Sequence, residues 1–194
     1  MKQSKIIGLT GRSGSGKGAV SAILEEFGAL VIDCDEIVHN LFKYDKELIF
    51  ELKDVFGDNI LDKNGYIDRK KLGPIVFEDR VLLDFLTKTT HRYVVKVVVE
   101  IIKNNSEYKY IVIDAPLLLE ANLHKICDSV WLVFADEEIS IKRVMKRDNI
   151  SFDMAKKRLN NQKSFKKLSK YADVIIKNEK SIEELRNEVK KKFK

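Results

Sequence analysis

Cysteine is scarce in this chain. Cys34 and Cys127 are the only two, and they stand far apart without metal-ligand spacing. That argues against a disulfide framework or a zinc site and favours a reducing compartment. Long apolar runs are missing too. The most apolar later segment, Val94 to Ile102, is interrupted by Lys96 and Glu100 and falls far short of the roughly 18 residues that cross a bilayer. The stretch after Lys2 and Lys5 breaks at Gly8 and Gly11, too early for a signal-peptide core. A cytoplasmic chain with no membrane partner is expected. There are 2 prolines and no repeat, low-complexity tract or linker. The 194 residues therefore read as one domain, 1–194, large enough for a full core and an inserted subdomain. No RNA-binding motif is present, and Phe165 and Tyr171 are too sparse for a base-stacking platform. The net charge of +6 is concentrated beyond residue 138. Solvated helix faces account for most of it, with polyphosphate or nucleic acid as the competing explanations. Of these, small anionic molecules are the expected partners, with no nucleic acid, and the chain is expected to be a monomer.

What is present is an alternation of two periods. Lys5 to Thr10 reads as a short buried strand, Gly11 to Gly18 as a glycine-rich loop and Ala19 to Phe27 as an amphipathic helix. Leu30 to Asp33 forms a second strand. Helical spacing follows over Glu36 to Lys43, over Lys46 to Phe56, and over Asp68 to Phe77 with an interruption at Gly73 and Pro74. Residues 80–104 are rich in valine, but Arg92, Lys96, Glu100 and Lys103 recur every three or four residues, which predicts a long helix with one polar stripe. Tyr110 to Ile113, Val130 to Phe134 and Val174 to Ile176 read as further strands. Helices are predicted over Glu137 to Arg147, with Asp136 as an acidic start, over Ser151 to Gln162, and after the capping-box pair Ser181 and Glu184. The fold class is α/β, a largely parallel sheet flanked by helices. The gap from about 36 to 109 is too long for one crossover and reads as an inserted helical subdomain.

Gly11-Arg12-Ser13-Gly14-Ser15-Gly16-Lys17 satisfies the GxxxxGK pattern of a P-loop, between strand and helix as the motif requires. The glycines let successive amides turn inward as an anion nest, the helix start adds partial positive charge, and Lys17 supplies a cation for the β- and γ-phosphates. Gly11, Ser13, Gly14, Ser15, Gly16, Lys17, Gly18 and Ala19 are thus the candidate ATP-binding residues. One feature departs from the pattern. The lysine is followed by Gly18 and Ala19 where Ser or Thr usually ligates Mg²⁺. Ser13, Ser15 and Ser21 are nearby hydroxyls at other positions, so Mg²⁺ is expected to be held through water and carboxylates. A chain that binds nucleotide without turning it over is the competing possibility.

Carboxylates end two strands. Asp33 and Asp35 follow the second, where a side chain could orient an attacking hydroxyl and accept its proton, or where Asp33 could simply cap the next helix. Asp114 ends the next strand before Ala115-Pro116-Leu117-Leu118. It suits either a Walker B-type aspartate acting on Mg²⁺ through water or a turn residue before proline.

Along nearly its whole length the chain resembles the dephospho-CoA kinase family. The matching stretches are Leu9-Thr10-Gly11 into the loop, Val31-Ile32-Asp33-Cys34-Asp35, Phe56-Gly57-Asp58, Gly65-Tyr66-Ile67-Asp68-Arg69 to Leu72, His91, Ala115-Pro116-Leu117-Leu118 with Glu120, Arg143 to Arg147-Asp148, Arg158 with Gln162, and Ala172-Asp173 with Asn178. Nucleoside monophosphate kinases share the loop and the lid but not the Asp68-Arg69 and Pro116-Leu117-Leu118 contexts. The resemblance implies transfer of the ATP γ-phosphoryl group to the ribose 3′-hydroxyl of dephospho-CoA. It implies Asp35 as base, Thr10 and Asp33 beside the reacting centre, and Arg69, His91, Pro116 and Leu117 around the substrate. Asp35 and Asp114 are the carboxylates expected to reach Mg²⁺ through water, and the resemblance further implies Arg143 and Arg147 as cations of a lid-like segment, about 143–170. Arg92 departs from the family, which usually has proline after the histidine. A different small-molecule kinase and a non-catalytic nucleotide-binding protein are the alternatives that a substrate panel separates.

Overall fold

The computed structural model describes residues 4–193, so Lys2 lies outside the described residues. Five strands form one sheet in the order β2-β3-β1-β4-β5: β1 Lys5–Gly11, β2 Leu30–Asp33, β3 Tyr110–Asp114, β4 Ser129–Phe134 and β5 Val174–Lys177. β1 is central and pairs in parallel with both β3 (Leu9 opposite Asp114) and β4 (Leu9 opposite Trp131), and β4 pairs in parallel with β5. The chain leaves β1 at Gly11, between two strands that come from much later in the sequence. That is the crevice in which open α/β sheets bind ligands.

Side-chain alternation along the strands sorts the core onto two faces. Trp131 and Val133 of β4 join Ile7, Leu9, Val112 and Ile176 under α1 (Lys17–Glu26) and α9 (Ile182–Lys192), while Leu132 between them packs with Leu119 and Leu168. Phe193 closes the first cluster against Tyr110, with ring centroids 4.3 Å apart. The capping box forms as its sequence predicts: the Ser181 hydroxyl accepts from the Glu184 amide, and Glu184 returns the bond to the Ser181 amide. α6 (Glu137–Asp148) and α7 (Phe152–Asn160) share a small apolar seam of Ile141, Val144, Ala155 and Leu159. Asp136 stands at the N-cap of α6, but its side chain makes no capping bond, so the acidic start of that helix comes from Glu137 and Glu138.

Two compact units emerge: residues 1–32 with 105–194, and residues 33–104. The second is mainly helical, with α2 Cys34–Tyr44, α3 Lys46–Phe56, α4 Arg69–Glu78 and α5 Arg80–Asn104, and α5 packs on the other three. The valine-rich segment is helical over its full 25 residues. Arg92, Lys96, Glu100 and Lys103 are exposed, and Tyr93, Val94 and Val98 are buried. α4 corrects one expectation, because it runs through Pro74 without interruption. Proline offers no N–H to the carbonyl four residues back, but Leu72 and Val76 on either side of it are buried. Their packing overrides the local preference. Neither cysteine forms a disulfide.

Candidate active site

Gly14 and Gly16 show why the loop after β1 needs glycine. Both have positive φ, 79° and 87°, which is costly for any residue with a Cβ. Both are also crowded. A Cβ on Gly16 would lie 1.9 Å from Asn178 Nδ2, and one on Gly14 would lie 2.3 Å from the Ser140 carbonyl oxygen. The crowding belongs to a brace around the loop. Asn178 Nδ2 donates to the Ser15 carbonyl (2.9 Å), and Arg143 Nη1 donates to the carbonyls of Gly14 (3.3 Å) and Asn178 (3.0 Å). Loop carbonyls are thereby engaged from behind. Gly16 caps α1 without a side-chain bond, so the first-turn amides of that helix keep the donor capacity that anions exploit.

Asp114 stands at the end of β3 and is 5% exposed. Lys17 Nζ bonds one of its carboxylate oxygens, and the Ser21 hydroxyl donates to the other. Thr10 Oγ1 donates to the Pro116 carbonyl at 3.3 Å, which ties the end of β1 to the segment after β3. Pro116 is half-buried and Leu117 exposed. Gly18 is exposed, and a Cβ placed there would meet nothing within 4 Å. Among the described residues no group of three or more His, Cys, Asp or Glu could hold a metal ion.

The segment after α6 reaches back to the loop. Gln162 accepts from the Ser13 amide (2.9 Å) and donates to the Ser13 hydroxyl (3.1 Å), while Arg12 donates to the Leu159 carbonyl (2.8 Å) and pairs with Glu137 at 3.5 Å. Behind the loop lies a cavity of about 240 Å³ lined by Arg12, Ser15, Phe134, Glu137, Ser140 and Phe165. The hydrogen bonds of Arg147 go to Asp148, which also holds Arg158. The Arg147 guanidinium, and then the charges of Arg147 and Arg158, keep the Asp148 carboxyl below its ordinary range. Arg143 is thus at the loop, and Arg147 is in an ion cluster at the end of α6.

Within residues 33–104, the Asp33 carboxylate accepts from the amides of Asp35 (2.8 Å) and Glu36 (3.2 Å) and so caps α2, while the Asp35 carboxylate is exposed in its first turn. The Arg69 guanidinium lies over the Phe42 ring, 5.2 Å from its centroid. His91 is half-buried in α5. Arg92 pairs with Glu51, which also accepts from the Tyr93 hydroxyl at 3.2 Å, so this residue joins α5 to α3 in an unbroken helix. An apolar groove of about 380 Å³, lined by Ile37, Leu41, Tyr44, Val97 and Ile101 among others, runs along the same unit.

The sequence reading names Ser21 as a nearby hydroxyl and Gln162 and Asn178 within the stretches of family resemblance, but not their partners: Ser21 on Asp114, Gln162 on Ser13, and Asn178 on Ser15. Only the pairing of Ser21 carried a local signal. Ser21 lies four residues after Lys17 and therefore on the same helix face.

The family model described as dephospho-CoA kinase matches residues 5–184. A dephospho-CoA kinase of Carboxydothermus hydrogenoformans is 41% identical over 186 residues, which cover 95% of this chain and 90% of that protein. Among solved structures, a Thermus thermophilus protein superposes with a TM-score of 0.84 at 30% identity, covering 98% of this chain and 96% of the other. The dephospho-CoA kinase of Campylobacter jejuni does so with a TM-score of 0.72, also at 30% identity, covering 96% and 94%. With the match spanning the loop, both strand ends and the helical unit, the chain belongs to the dephospho-CoA kinase family.

Proposed function

We propose that this chain carries out its family's reaction, transfer of the γ-phosphoryl group of ATP to the ribose 3′-hydroxyl of dephospho-CoA, with the following division of labour. The loop from Gly11 to Ala19 receives the phosphates through its amides and the start of α1, and Lys17 exchanges Asp114 for the β- and γ-phosphate oxygens. Asp35, an exposed carboxylate at a helix start, orients the 3′-hydroxyl and takes its proton late in a loose transition state. Thr10 and Asp33 stand beside the reacting centre, and Asp33 acts by fixing the first turn that carries Asp35. Arg69, His91, Pro116 and Leu117 receive dephospho-CoA. Arg143 keeps the loop in shape through its carbonyls and adds positive charge behind it. Arg147 turns from Asp148 toward the transferring group.

Mg²⁺ fits this donor set in one particular way. The ion favours one or two carboxylates with phosphate oxygens and retained waters over an all-protein cage. The described residues offer a buried carboxylate with a hydroxyl beside it, Asp114 with Ser21, and no three-ligand cluster. Asp114, with Asp35, would hold the ion through water. Bound with ATP, the metal supplies neutralisation of charge on the β- and γ-phosphates.

The reading extends to a cytoplasmic monomer that works without nucleic acid or membrane. No described helix is long and apolar enough to cross a membrane. Phe165 packs on Phe134 at 4.4 Å, and Tyr171 stands edge-on to His124, so both aromatics of the basic third have partners within the chain.

The observation that carries the proposal is the braced GxxxxGK loop with Lys17 seated on a strand-end aspartate. A coupled assay tests it. Purified protein with Mg²⁺ and ATP is expected to release ADP with dephospho-CoA and hardly at all with a panel of nucleoside monophosphates. Equal rates on any of those nucleotides would overturn the substrate assignment. Gel filtration and RNA retention at low salt test the monomer and the absence of nucleic acid.

A further inference from the structure

The position after the loop lysine is glycine, and nothing in the fold demands glycine there. Gly18 has no positive φ, and a side chain would enter open space. The hydroxyl that the P-loop pattern usually carries at this position would fit here. One turn further along α1, at the third residue after Gly18 and the fourth after Lys17, Ser21 lies on the same helix face. It is 8% exposed, and its hydroxyl donates to one Asp114 carboxylate oxygen while Lys17 bonds the other. A buried carboxylate needs its lone pairs satisfied, and in this structure Lys17 and Ser21 share that work. The two partners differ in what nucleotide does to them. Lys17 has a competing destination in the phosphates, whereas Ser21 has none. Once Lys17 turns to phosphate, the Ser21 hydroxyl remains the protein group holding Asp114.

We infer that Ser21 is a positioning residue for metal-bound nucleotide in this chain, replacing the missing hydroxyl at position 18 by fixing Asp114 for water-mediated contact with Mg²⁺. The inference rests on the proposed roles of Lys17 and Asp114. An ordinary core hydrogen bond would look the same in the free protein but would be indifferent to metal, and that difference makes the test.

Calorimetric titration of ATP into wild type, Ser21→Ala, Ser21→Thr, Gly18→Ser and the Gly18→Ser/Ser21→Ala double variant, each with and without Mg²⁺, gives the factor by which metal tightens nucleotide. The expected loss of that factor in Ser21→Ala is about tenfold, the worth of one hydrogen bond to a charged group. Ser21→Thr keeps the hydroxyl and should keep the factor. With serine at position 18, removing Ser21 should cost less than about twofold, since the two hydroxyls serve one function. A Ser21→Ala protein that melts earlier yet shows the wild-type metal factor would overturn the inference. So would a tenfold loss of equal size in both backgrounds, because Ser21 would then not stand in for residue 18. ATP that fails to bind the wild type even without metal would instead remove the loop assignment, and this inference with it.

Discussion

Two sets of polar contacts, those around the loop and those of the aspartates in residues 33–104, reach very differently along the sequence. Around the loop the bonds are long in sequence: Lys17 and Ser21 to Asp114, Arg143 to Gly14, Ser13 to Gln162 and Asn178 to Ser15 span between 93 and 163 residues. In residues 33–104 aspartates bond the amides just ahead of them: Asp33 to Asp35 and Glu36, Asp45 to Leu48, Asp62 to Asn64 and Tyr66, Asp68 to Lys70, and Asp79 to Val81 and Leu82. The second pattern needs only a helix start or a turn and forms wherever the local sequence permits. The first exists only when the whole sheet is assembled, so it can hold a charged loop in a single shape. A site that must present fixed charge to phosphate gains from the non-local kind, since preorganised groups need no rearrangement during reaction. The unit proposed to receive the substrate has less need of it.

The comparison breaks most visibly at Lys17. Lys17→Ala should lower kcat/KM by roughly a thousandfold or more, the upper range for one removed transition-state donor. It should also lower the melting temperature, because Asp114 stays buried without its cation. Near wild-type activity would mean that the loop is not the phosphate site. Asp35→Asn is the counterpart in the locally bonded unit. Its kcat should fall by about a hundredfold, with little change in KM for ATP and none in melting temperature, because the lost carboxylate is exposed and the cap of α2 belongs to Asp33. A loss in Asp33→Asn with none in Asp35→Asn would exchange their roles.

The same contrast explains how much could be read beforehand. Every strand and the long helices were legible, since burial imposes a period of two or three and a half on the sequence. Even α5, rich in β-branched residues, betrayed itself through the spacing of Arg92, Lys96, Glu100 and Lys103. The four-residue helix α8, Phe165–Leu168, has too few turns to show a period, and Pro74 misled because burial of Leu72 and Val76 is a tertiary fact. For the site, the loop and the strand-end carboxylates stood out because their chemistry is written in contiguous residues. The cap made by Asp33 was foreseen as one of two options, being local. The resemblance points to Arg143, Gln162 and Asn178 as residues, but their bonds to the loop were out of reach, for no spacing rule links residues that far apart.

Glycines sharpen the comparison further. Gly16 and Gly65 both have positive φ, 87° and 80°. An alanine at either should cost about 1–2 kcal/mol for the left-handed conformation. Gly65 has nothing within 4 Å of a new Cβ, whereas Gly16 has Asn178 Nδ2 at 1.9 Å. Gly65→Ala should therefore lose stability alone and keep its ATP affinity. Gly16→Ala should lose more stability and bind ATP at least about tenfold more weakly, as the displaced Asn178 gives up its hydrogen bond to the loop. Equal effects in the two variants would show that the brace contributes nothing to nucleotide binding.

The smallest effect separates a carboxylate held by amides from one held by charge, by pH and salt. Asp62 and Asp148 are carboxyls held below their ordinary range for different reasons: Asp62 chiefly by the backbone amide of Tyr66, and Asp148 chiefly by the Arg147 side chain with Arg158 behind it. A lowered folded-state value means that each contributes stability above the unfolded pKa of about 3.9, and that this contribution disappears as pH falls through the lower folded value. Melting curves of the wild type should therefore drop on the acid side of about pH 4, and Asp62→Asn and Asp148→Asn should each flatten that drop slightly. Salt tells the two apart. Near 1 M ionic strength the screening length shrinks to about 3 Å. The effect of Asp148→Asn should then fade, because its partners are exposed guanidinium charges, while that of Asp62→Asn should persist, because its partners are amides one turn away. If salt erased both equally, Asp62 would be held by the charge of Lys71 rather than by its turn.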